Sequence, residues 1–211
     1  MLLQNTVDPW ANPLREKSRV VQWTGNRGLL HDKDRQICRY SNSQAWLCCA
    51  MSYKGTDRRP LFKPDLTTYS ELFFLDEATA YAAGHRPCAE CRRADFTRFK
   101  QYWAETKASR ASGTPFLAKE IDAELHRERT DDGRSKRTYD APWESLPAGA
   151  MFAVGGTPYL VRPGALYQWT PAGYLPAPPP ATKKVAVLTP ASIISMMKRG
   201  LQVQVHDSAM R

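Results

Sequence analysis

Residues 73–93, FFLDEATAYAAGHRPCAECRR, place the most specific residue spacing in the chain on a short readable run of structure. Leu72, Phe73 and Phe74 read as the end of a buried strand, and Asp76 as a helix N-cap. Residues 77–83 are an alanine-rich helix that Gly84 closes. The next turn is Pro87-Cys88-Ala89-Glu90-Cys91. Two cysteines separated by two residues, entered through a proline of fixed φ, can aim both sulfurs at one tetrahedral ion. Arg92 and Arg93 follow directly, and neighbouring cations favour thiolates.

Three other readings of Cys88 and Cys91 compete with zinc. A thioredoxin-like redox pair belongs after a strand in a βαβ unit, whereas this one follows a helix and a glycine. A zinc deaminase also carries Pro-Cys-x-x-Cys, but needs an upstream His-x-Glu or Cys-x-Glu, and Glu71 and Glu77 have Tyr69 and Leu75 two residues before them. A pair of plain core cysteines is the third. The preferred reading is structural Zn2+, with Cys88 and Cys91 as ligands, Cys48 as the third and Cys49 or Cys38 as the fourth. His31 and His85 are substitutes, His85 the weaker of the two.

Phe74, the alanines Ala78 and Ala82 along a short helix, and then Gly84-His85-Arg86-Pro87-Cys88-Ala89-Glu90-Cys91-Arg92 resemble the second half of the metal-binding domain of the Ada DNA-repair proteins. The likeness covers residues 72–93 only. It implies a four-cysteine zinc site in a DNA setting, in which one of the first cysteine pair accepts a methyl group from a DNA phosphotriester. It also implies that His85 fills an aromatic-like packing slot. That first pair is Cys-x3-Cys in the family, and here Cys38 and the adjacent Cys48 and Cys49 stand in its place. Methyl acceptance by Cys48 or Cys49 would need a complete four-sulfur site, so zinc as a staple is the expectation.

The charge points the same way. Thirty Lys and Arg against 21 Asp and Glu leave +9, which suits an anionic partner, with DNA preferred to RNA. Residues 1–60 hold ten cations against five acids and residues 151–211 six against one, while residues 61–150 hold fourteen against fifteen. The blander account of the excess is solubility. Arg27, Arg58, Arg59, Arg92 and Arg93 are the expected phosphate contacts, and Trp23 or Trp46 the stacking surfaces. No apolar run approaches the ~18 residues of a membrane span, and no signal-peptide pattern opens the chain. Five cysteines, an odd number, argue for metal in a reducing, cytoplasmic setting over a disulfide framework.

Along the chain, residues 1–19 read as an extended arm, and residues 19–31 as a β-hairpin turning at 24–28. Residues 37–40, 45–53 and 67–74 read as strands. In the second of these a period of two puts Trp46 and Cys48 on one face and Leu47 and Cys49 on the other. Phe96, Phe99 and Trp103 form a helical aromatic stripe, and residues 116–129 a charged amphipathic helix burying Ile121 and Leu125. Residues 130–137 read as a solvated turn. From residue 142 onward short strands and prolines suggest a small barrel or curled sheet, closed by a helix at 192–199.

The expected class is therefore α+β, with a zinc-stapled β-rich N-terminal part bearing short helices and a small C-terminal β unit. Its divisions are an Ada-like zinc-binding domain at 1–105, a linker and charged helix at 106–141, and a β-rich domain at 142–211. A rival enzymatic reading makes the chain a hydrolase or nuclease. Asp122 and His126, four apart on one helix face, would work with His31 as an acid/base set, and zinc would only hold the scaffold.

Overall fold

A computed structural model of the chain describes residues 6–14, 18–34, 36–57, 69–107, 115–132 and 134–210. In chain order it contains β1 (Thr6–Val7), β2 (Pro13–Leu14), β3 (Trp23–Asn26), β4 (Leu47–Ala50), β5 (Ser52–Tyr53), β6 (Thr56–Asp57) and β7 (Leu72–Phe74). These lead to α1 (Glu77–Ala82), β8 (Arg86–Pro87), α2 (Arg93–Thr106) and α3 (Ala118–Arg129). The ribbon β9 (Thr130–Asp131) and β10 (Ser135–Lys136) precedes β11 (Tyr139–Pro142), β12 (Met151–Val154), β13 (Thr157–Arg162), β14 (Ala165–Thr170), β15 (Gly173–Ala177), β16 (Lys184–Val187) and α4 (Ala191–Lys198). The α+β class holds, and no described helix is long and apolar enough to cross a membrane.

Six N-terminal strands form a mixed sheet in the order β2-β1-β7-β3-β4-β8. Its β1–β7 and β4–β8 pairs are parallel. The second sheet runs β11-β16-β12-β13-β14-β15 with antiparallel neighbours throughout, an open sheet with an edge at either end. Its β12-to-β15 portion is a meander of short connections, the arrangement that alternating short strands and Gly turns favour.

The apolar cores cross the divisions drawn from the sequence. One gathers Phe99 and Trp103 of α2, Ile121 and Leu125 of α3, Phe152 and Val187 of the second sheet, and Ile193 and Met197 of α4. Another joins Leu75, Ala78 and Ala82 to Met151, Leu160 and Trp169. The aromatic stripe of α2 and the apolar face of α3 are thus buried as their periodicity requires, against partners far along the chain.

Local signals and long-range pairing differ most at residues 19–31. No hairpin forms there: β3 spans residues expected to turn and lies between β4 and β7. Gly25 is in that strand because Phe74 presses on it, and a Cβ at Gly25 would stand 2.3 Å from Phe74 Cε2. The described part of the expected arm is anchored, since β1 pairs with β7 and Val7 and Ala11 are buried. Where a solvated turn was expected, β9 and β10 pair as a ribbon in which Lys136 Nζ donates to the Ala82 carbonyl at the end of α1. β11 and β15 lie outside the strands expected from the sequence, although β11 alternates half-buried and exposed residues along YDAP.

α1 follows its local code. Asp76 Oδ1 accepts from the Thr79 N–H at 2.7 Å, and Gly84 leaves the helix at φ +91°. A side chain at Gly84 would meet Arg129 Cδ at 2.5 Å. The same turn then delivers the chain into β8 and the Cys88–Cys91 turn.

Candidate metal centre

Three sulfurs converge where β4 meets the turn before α2. Those of Cys49, Cys88 and Cys91 all lie within 4.8 Å of one another. β4 and β8 run parallel, with Leu47 opposite Arg86 and Cys48 opposite Pro87. The Arg86 N–H donates to the Trp46 carbonyl at 3.0 Å and the Cys88 N–H to the Cys48 carbonyl at 3.0 Å. That register sets Cys88 beside Cys49. The turn is then closed by the Arg92 N–H on the Cys88 carbonyl at 3.1 Å, which brings Cys91 back toward β4. The Ala50 N–H donates to Cys91 Sγ at 3.4 Å.

The site is shallow: Cys49 and Cys88 are each 8 % exposed and Cys91 is half-buried beside the exposed Ala89 and Glu90. The neighbouring Cys49 and Cys91 thiols hold the Cys88 pKa far below the ordinary thiol range, and the same crowding pushes that of Cys49 far above it. A divalent ion binds such a cluster by displacing thiol protons. Tetrahedral thiolates at a Zn–S distance of about 2.3 Å stand about 3.8 Å apart, within the observed spread. The donor set therefore fits zinc, a thiolate-seeking ion.

The alternation of β4 sends Cys48 to the opposite face. It is fully buried with Trp46, Leu72 and Phe74, accepts from Arg92 Nη1 at 3.2 Å, and burial pushes its thiol up to about 12. Cys38, expected as an alternative ligand, is exposed and donates its thiol to the Leu30 carbonyl at 3.3 Å. Cys49, and neither of these, joins Cys88 and Cys91. The choice between adjacent cysteines rests on the register of β4 against β8, which nothing within residues 45–53 reveals.

His85 is not at the centre either. It is fully buried, with its ring centroid 5.1 Å from that of Trp46 and 4.6 Å from that of Phe74, and both nitrogens lack partners. Burial, with Arg27, Arg129 and Lys136 nearby, lowers its pKa well below 6.5. Its ring packs between those of Trp46 and Phe74.

Several residues expected at a nucleic-acid surface are inside. Arg27 is fully buried, stacks over Trp46 and Tyr40 at 4.6 and 4.8 Å, and donates to the Ala11 carbonyl at 2.8 Å. Trp46 is fully buried and carries Arg129 at 4.3 Å as well. Arg92 pairs with Glu77 and Asp95 and stacks over Trp23 at 3.9 Å. Neither these guanidiniums nor the Trp46 ring presents a face to a phosphate or base. Arg93, the first residue of α2, is exposed; Arg58 and Arg59 lie outside the described residues.

The members of the proposed acid/base set have separate surroundings. Asp122 is buried and bound by Arg86 through two 2.7 Å hydrogen bonds. His31 Nδ1 meets Ser70 Oγ at 2.5 Å. His126 lines a surface cavity of about 570 Å³ with Tyr40, Gln44 and Arg134, a lining that includes neither Asp122 nor His31. Two residues that matter to the centre's surroundings were not among the site residues expected from the sequence. Glu77 is the buried counter-ion of Arg92, and Arg86 that of Asp122. Their acidic and basic types are visible, but their pairing spans fifteen and thirty-six residues.

Comparison of the chain with protein-family profiles, with curated proteins and with solved structures returns no match.

Proposed function

We propose that the protein holds one zinc ion through Cys49, Cys88 and Cys91, and that the unit so stapled binds DNA in repair or in the handling of modified DNA. The observation that carries the metal is the convergence of the three sulfurs on one side of β4. Zinc there would tie β4 to the turn that launches α2, joining the first sheet to the helix that packs on the second.

The DNA part is supported by the +9 charge, concentrated in the two ends of the sequence, and by the Ada-like run at 72–93. Exposed cations on the flanking elements add to it: Lys54, with a side chain 74 % exposed, Arg93 at the start of α2, and Arg98 five residues further along the helix, paired with Asp95. Duplex binding by such a surface is dominated by phosphate contacts and falls steeply with salt.

The test takes metal analysis and DNA titration together. About one zinc per chain is expected from a single site. Anisotropy with a labelled duplex is expected to show affinity that drops with salt, and the variant with Arg58, Arg59 and Arg93 changed to Ala is expected to bind more weakly and with a shallower salt slope. Arg92 is left intact because its removal would strand buried Glu77. Unchanged affinity in the triple variant would remove the DNA reading, and a metal-free protein with reducible Cys88 and Cys91 would remove the zinc.

A further inference from the structure

The three-sulfur centre has a geometry that a closed staple would not have. Structural zinc is ordinarily enclosed by four protein ligands, whereas three protein ligands and an open position are the pattern of zinc that binds an outside molecule. Among the described residues no fourth His, Cys, Asp or Glu brings a ligand atom into the cluster of Cys49, Cys88 and Cys91. Each nearby candidate is engaged elsewhere. Cys48 projects from the opposite face of β4 onto Arg92 Nη1, and Cys38 donates to Leu30. His85 is sealed between Trp46 and Phe74, and His31 is turned to Ser70. Glu90 extends outward toward Lys54, its side chain 71 % exposed.

Access is available. Cys91 is half-buried and the Ala89–Glu90 turn beside it is exposed, so solvent reaches the centre from the side of Cys91. Charge then selects the kind of ligand. A divalent ion with three thiolates carries one net negative charge, and a fourth anionic ligand would raise it to two. The adjacent cation, Arg92, is already committed to Glu77 and Asp95. A neutral donor completes the tetrahedron at lower electrostatic cost.

We propose that the metal held by Cys49, Cys88 and Cys91 keeps its fourth coordination position open, filled by water and exchangeable for a small neutral nitrogen donor. This rests on the zinc reading above and departs from the four-sulfur site that the family resemblance implies. It makes the centre a ligand-binding site as well as a staple.

X-ray absorption on the zinc-loaded full chain, and titration of the cobalt-substituted chain with imidazole, test it. The expected coordination is three sulfurs at about 2.3 Å and one nitrogen or oxygen at about 2.0 Å. The cobalt spectrum is expected to shift saturably with imidazole, and Cys48→Ser and Cys38→Ser are expected to leave coordination and shift as in the wild type. Four sulfurs in the wild type, falling to three in either variant, would overturn the proposal, and so would a cobalt spectrum that imidazole leaves unmoved. A chain that takes up no metal would overturn the zinc reading itself, and this inference with it.

Discussion

Arg86 grips Asp122 with both prongs of its guanidinium, Nε on Oδ1 and Nη2 on Oδ2 at 2.7 Å each, and the two side chains are 4 % and 7 % exposed. The pair fastens β8, and with it the approach to Cys88, to the buried face of α3. A bidentate geometry of this kind answers the cost of taking both charges out of water, which a single bond would not.

Asp122→Ala is therefore expected to destabilise the fold by about 3–5 kcal/mol, because it leaves Arg86 buried without its counter-ion. Chemical denaturation measures this directly. A stable Asp122→Ala protein that had lost a hydrolytic activity would instead restore the enzymatic reading of Asp122, His126 and His31.

Removing the metal is expected to loosen one part of the molecule rather than all of it. The large core joining α2, α3, the second sheet and α4 contains none of the three cysteines. Chelation, or Cys88→Ser, is expected to raise amide exchange in β4, β8 and the 88–92 turn, while β12 to β15 stay protected. Uniform loss of protection would show that the metal holds the whole fold.

The pH dependence should centre on His85. Burial lowers its pKa well below the ordinary 6.5, so the folded ring is neutral where the unfolded one takes up a proton. Its contribution is fully present above about pH 6.5 and is lost as pH falls below that toward the depressed folded value, by at most about 1.4 kcal/mol per pH unit. His85→Phe, which keeps a ring against Trp46 and Phe74 and removes two unpartnered nitrogens, is expected to flatten the loss between pH 6.5 and 5. The same slope in both proteins would assign the acid sensitivity to other groups.

What could be read from the sequence was what neighbours in sequence decide. The Asp76 cap, the Gly84 stop, and the stripe of Phe96, Phe99 and Trp103 each depend on residues within a turn or two, and each is present. The opposite faces of Cys48 and Cys49 follow from strand alternation alone. Which of those faces meets Cys88 does not, because it depends on β4 lying parallel to a two-residue strand that begins 39 positions after Leu47. Gly25 looked like a turn for a similar reason: the Phe74 ring that requires a glycine there belongs to another strand. The arginines misled most. An isolated Arg reads as a surface cation, whereas Arg27 is enclosed by Tyr40 and Trp46, and Arg92 by Trp23 and Glu77, brought together only by the fold.

Thiol reactivity separates the three environments in one measurement. A thiolate is the reacting species, so modification follows exposure and pKa together. Cys38 is exposed, while Cys48 is fully buried with its thiol pushed up to about 12 by that burial, despite the Arg92 guanidinium at 3.2 Å. Cys49, Cys88 and Cys91 are expected to be shielded by zinc and to react once it is chelated. Iodoacetamide at pH 8 followed by peptide mass spectrometry is therefore expected to label Cys38 alone in the zinc-loaded protein. Chelation should add Cys49, Cys88 and Cys91 to the labelled set, and only denaturant should add Cys48. Labelling of Cys48 together with the metal-released cysteines would place it in the coordination sphere and return the centre to a four-sulfur design. Labelling of Cys49 before chelation would take it out of the site altogether.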